Sequence, residues 1–78
     1  MNKNEVRSII ESVLASGSKT PGIFDLPKML SLKTQLEACS SISDVINLLE
    51  EHRGNVLKIF GLEETLFQDA IEKLKNLA

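Results

Sequence analysis

Tryptophan and tyrosine are absent and the only aromatic residues are Phe24, Phe60 and Phe67, so any core has to be built mainly from Leu, Ile and Val. A single cysteine, Cys39, excludes an internal disulfide framework. With a single histidine, His52, there is no Cys/His cluster of zinc spacing. A glycine-rich phosphate loop and a calcium-binding loop are missing as well. Basic charge is not in excess. Nine Lys/Arg against eleven Asp/Glu give a formal net charge of −2, opposite to what a surface neutralising nucleic-acid phosphates requires. Long apolar runs are missing too: the opening MNKNEVRSII is interrupted by charge, so neither a secretory leader nor a membrane span is expected. A cytoplasmic location follows as the default, and a lone thiol agrees with reducing surroundings.

Catalytic groupings are also wanting. A nucleophilic Ser or Cys needs a neighbouring base, and His52 falls in an expected helix end, where its charge would favour the dipole. The acid pairs Glu50-Glu51 and Glu63-Glu64 are adjacent, so on a helix they diverge by about 100° instead of converging on a substrate. The expectation is a protein that is not an enzyme and carries no cofactor and no metal.

What is present is helical periodicity in 78 residues, a length that suits one small domain, 1-78, with a thin margin of stability. Val6, Ile9, Ile10, Val13 and Leu14 share one face of a first helix, which Gly17 would end in a left-handed conformation. The run GSKTPGIFD is the longest loop, with Pro21-Gly22 suited to a type II turn and Ile23 and Phe24 expected to anchor it in the core. Asp25 can cap a second helix that tolerates Pro27 in its first turn. Its stripe is Leu26, Met29, Leu32, Leu36 and Cys39, with the cysteine acting as a small buried hydrophobe. Ser41 and Asp44 approximate a capping box for a third helix with the stripe Ile42, Val45, Ile46 and Leu49.

A third helix continuing to Phe60 would centre Arg53 on the buried face, which costs several kcal/mol if the charge is unpaired. A break is therefore predicted, with His52 and Arg53 in the last turn, Gly54 just past it and Asn55 capping a short helix that ends at Gly61. Leu66, Phe67, Ala70, Ile71, Leu74 and Leu77 form the stripe of the final helix. The predicted fold is all-α: a small, mostly antiparallel bundle of four main helices, at about 4-16, 26-39, 42-53 and 62-77, with a short helix at about 55-60.

Large aliphatic residues are dense between Leu48 and Leu62. Leu48 and Ile59 lie off the main stripes of their helices and Leu57 flanks its stripe, so either the short helix is surrounded by the others or these three form an exposed patch. The second alternative makes Leu48, Leu57 and Ile59 candidate partner-binding residues. The function expected is then a non-enzymatic interaction module: an adaptor, small chaperone or regulatory subunit that binds another protein or a second copy of itself, without nucleic acid, membrane or metal. Two alternatives stand beside it. In length, acidity and helical character the chain resembles the acyl carrier proteins, which implies a modified serine. The Asp-Ser-Leu of that family is missing, however, and Leu30-Ser31-Leu32 and Ser40-Ser41-Ile42 both lack the preceding acid. A small DNA-binding regulator would use the helix pair around Gly54, whose second member offers Lys58 alone for contacts.

Overall fold

A computed structural model describes residues 1–78 as five α-helices without strands. The elements are α1 (Lys3–Ala15), a 3₁₀ turn (Ile23–Asp25), α2 (Leu26–Ala38), α3 (Ile42–Glu51), α4 (Arg53–Phe60) and α5 (Glu64–Leu77). The all-α fold and the five helical segments agree with the sequence periodicity, and the ends shift by one to two residues.

Two starts are fixed by side-chain caps. The Asn2 side-chain oxygen accepts from the amides of Asn4 and Glu5 ahead of α1, and the Ser41 hydroxyl accepts from the Asp44 amide at 3.2 Å ahead of α3. Asp44 does not complete a box with the Ser41 amide: its carboxylate accepts from the Ser40 hydroxyl at 3.4 Å. Asp25 occupies the cap position of α2, yet its carboxylate turns back to accept from the Gly22 amide at 3.1 Å, leaving the α2 amides without a side-chain cap.

The core is centred on α5, which packs between α1 and α3. Phe67, Ile71 and Leu74 of α5 are buried against Val6 and Ile10 of α1 and Ile42, Val45 and Leu49 of α3; Val56, Phe60 and Leu62 extend the cluster, and Ala70 of α5 is buried as well. Burying a Leu, Ile or Val fully contributes about 1.5–3 kcal/mol, so this cluster is the main source of stability. The short α4 is not enclosed: Val56 and Phe60 face inward, while Gly54, Asn55 and Lys58 are exposed.

The glycines depart from expectation. Gly61 alone has a left-handed backbone, with φ of 61°, and it ends α4 as predicted. Gly17 does not adopt that conformation. It is small for a different reason: a Cβ there would collide with the Phe60 carbonyl oxygen. The chain after α1 runs closely over the end of α4, where the Lys19 amide donates to the Phe60 carbonyl at 3.0 Å and the Ser18 amide to that of Gly61 at 3.2 Å. Gly22 is extended (φ −83°, ψ 174°), so Pro21-Gly22 is not a type II turn, which needs a positive φ at its third residue.

The break between α3 and α4 is present but falls at His52, two residues before Gly54. Gly54 and Asn55 are therefore inside α4, and Arg53 opens that helix instead of closing α3. Tertiary contacts decide this. The Arg53 guanidinium pairs with Glu64 at 3.3 Å and lies 5.7 Å from the centroid of the Phe67 ring, which gives the half-buried charge partners at the start of α4.

Candidate partner-binding surface

Leu48 is 9% exposed and so is part of the buried interior. Leu57 and Ile59 are half-buried against the core. The three do not form one exposed patch: Leu48 has almost no surface to offer, and Ile59 lines a groove at the surface.

The exposed apolar surface lies instead where the chain enters α2. Phe24 is 93% exposed, Ile23 75%, Leu30 64% and Leu26 47%. The expectation that Ile23 and Phe24 anchor the loop in the core is overturned. The backbone contacts at Ser18 and Lys19 hold the loop to α4, and beyond them the 3₁₀ turn carries both side chains outward. Leu26 likewise leaves the inner stripe to which its spacing assigned it.

Helix geometry explains why these residues stay exposed. Met29, Leu32 and Leu36 share the inner face of α2 and are half-buried, with Cys39 at its end. Leu30 lies more than 100° round from the middle of that stripe at 100° per residue. Ile23, Leu26 and Leu30 recur at i, i+3 and i+7, forming a second apolar stripe that no other helix of this chain covers.

Polar contacts hold α2 at its C-terminal end. The Lys3 ammonium donates to the Glu37 carbonyl at 3.1 Å and Arg7 pairs with the Glu37 carboxylate at 3.7 Å. The Cys39 thiol donates to the Gln35 carbonyl at 3.3 Å. Burial pushes its pKa above the ordinary thiol value, Asp44 adds to that rise and Lys3 opposes it. No comparable ties hold the N-terminal half.

On the other flank of α2 is a groove of about 310 Å³ shared with α4. Met29 and Leu32 form one wall, Val56, Ile59 and Phe60 the other. Lys28 and His52 are its only ionisable lining residues, and no acid lines it. Pro27 also lines the groove and lies round the helix between Lys28 and Leu30, so groove and stripe adjoin across the N-terminal half of α2.

The serines considered for an acyl arm are placed differently from one another. Ser31 is mid-helix in α2 and its hydroxyl accepts from the Gln35 amide group at 3.1 Å, while the Ser41 hydroxyl caps α3. No helix is long and apolar enough to cross a membrane, and no group of three or more His, Cys, Asp and Glu is placed to hold a metal ion. No family model matches the chain, and no curated protein or solved structure matches it.

Proposed function

We propose that the protein is a non-enzymatic interaction module that docks another protein through the N-terminal half of α2 and the 3₁₀ turn before it. The observation that carries this is the exposure of Phe24 together with Ile23, Leu26 and Leu30. An apolar stripe along one side of a helix is normally buried, and here none of the five helices covers it. The four side chains present on the order of 500 Å² of apolar surface, if a large aromatic covers about 150–250 Å² and a leucine somewhat less. Typical monomers have a largest patch of about 300–600 Å², which is often functional. One side of a standard protein interface takes about 800 Å², so the patch supplies its apolar centre and the polar surroundings of α2 the rim.

A cytoplasmic setting belongs to the same proposal, supported by the free thiol of Cys39. Of the two kinds of partner expected from the sequence, a different protein is favoured over a second copy. Residues 17 to 36 carry Lys19, Lys28 and Lys33 against Asp25, whose carboxylate is bonded to the Gly22 amide. Two such surfaces placed face to face would oppose like charges.

The test is a photo-crosslinking residue, benzoylphenylalanine, placed at position 24 in cells of the protein's source, with Thr65 of α5 as the control position. A discrete adduct from position 24 and none from position 65 is the expected result. Equal or absent labelling from the two positions would sink the proposal, and an adduct of twice the chain mass would move it to self-association.

A further inference from the structure

The groove between α2 and α4 adjoins the apolar stripe, and its lining includes a lysine and no acid. Its walls are Met29, Leu32, Val56, Ile59 and Phe60, and its ionisable groups are Lys28 and His52. The local surface is cationic on a chain that is acidic elsewhere: outside residues 17 to 36 there are six Lys/Arg and ten Asp/Glu. At about 310 Å³ the groove is at the lower end of the roughly 300–1,000 Å³ range of enclosed small-molecule sites. It is also an open trough between two helices, the shape in which apolar side chains spaced at i, i+3 or i+4, and i+7 of a third helix are received.

Resting on the interaction reading above, we infer that this groove receives an amphipathic helix of a partner protein that carries Asp or Glu beside its apolar face. The apolar positions of that helix enter between Met29, Leu32 and Ile59, and its carboxylates meet Lys28 and the half-exposed His52 at the rim. A second copy of this chain does not meet the description. Its acid-bearing amphipathic helices α1, α3 and α5 already spend their apolar faces on the core, and the free stripe of α2 has lysines beside it. Opposite charge at the rim sets orientation and rate of encounter, and the apolar contacts supply most of the affinity.

The experiment is selection from a displayed library of 16-residue helices with Leu or Ile at i, i+3, i+4 and i+7 and all other positions open to Asp, Glu, Lys, Arg, Ala and Gln. Selected helices are expected to be enriched in Asp and Glu next to the apolar face. Their affinity should fall about tenfold with Lys28→Glu, and by at least that with Ile59→Glu. Lys28 is exposed, so its substitution reports on binding even if the half-buried Ile59→Glu variant unfolds. Basic or charge-neutral selected helices, no selected helix, or an affinity unmoved by Lys28→Glu would overturn the inference. Helices that respond to Leu30→Ser but not to Lys28→Glu would overturn it while leaving the α2 docking surface standing. Decanoate or phosphatidylglycerol vesicles serve as the lipid arm, and their binding in place of any helix would also overturn it.

Discussion

Helices α2 and α5 are nearly equal in length, 13 and 14 residues, and each carries six apolar side chains. Yet α5 buries four residues and α2 none. The difference is angular. In α5 the apolar positions fall in one band that fits between α1 and α3. In α2, Ala38 apart, they divide between an inner band, Met29, Leu32 and Leu36, and an outer one, Leu26 and Leu30. The inner band packs on the core, and the outer one is left exposed. The α1–α3–α5 side holds the fold, and α2 carries exposed apolar residues outside that core.

The sharpest way to break this comparison is to truncate one leucine on each helix. Leu74→Ala, in the fully buried heart of α5, is expected to cost about 2–5 kcal/mol, enough to unfold much of so small a domain. Leu30→Ala should change stability by less than about 0.5 kcal/mol. Urea denaturation followed by circular dichroism reads both. A Leu30→Ala cost near that of Leu74→Ala would mean that the outer face of α2 is covered within the chain.

The glycines test how the chain is held as it approaches α2. Gly17→Ala forces a Cβ against the Phe60 carbonyl, and Gly61→Ala both strains a left-handed residue and crowds Ser18. Each should cost about 1–3 kcal/mol. Gly54→Ala should instead stabilise by about 0.4–1 kcal/mol, because it lies in a helix, has open space around it and lacks a positive φ. A destabilising Gly54→Ala would return the helix break to the position that the glycine suggested. Native-state hydrogen exchange on the same variants should show the amides of α2 opening at lower free energy than those of α5, with Gly17→Ala widening the gap.

The smallest effect is expected at the C-terminal end of α2. The folded Cys39 thiol has its pKa raised, first by burial. The stabilisation linked to the neutral thiol is therefore fully present below the ordinary thiol pKa and is lost as pH rises through the folded value. Above about pH 8.5 the native protein should lose stability with pH slightly faster than Cys39→Ala does. Parallel pH profiles would show that the thiol is not held differently in the folded state.

Much of this fold was legible from local signals. Helix α5 could be read from its single stripe, and α3 from its stripe and the Ser41 cap. The end of α4 was equally legible, since Gly61 has the left-handed backbone that glycine tolerates best. The candidate site was far less legible. Leu48, Leu57 and Ile59 drew attention because apolar density is a local property, but burial depends on which neighbours arrive from elsewhere in the chain. For Ile23, Phe24, Leu26 and Leu30 there was one available signal: Leu26 and Leu30 flank Lys28 and Met29 in a run apolar on more than one side, which a one-stripe description of α2 passes over.

By itself the sequence determined the helical class, the approximate helix limits and the main inward stripes of α1, α3 and α5, Leu48 excepted, because spacing, capping and glycine act within a few residues. Only the tertiary structure decided that Gly17 is needed for close approach to Phe60, that the helix break falls at His52, and that Arg53 finds its partners in Glu64 and Phe67. It also decided that α5 is central while one face of α2 is left uncovered. Those outcomes depend on contacts between residues far apart in the chain, which local spacing cannot rank.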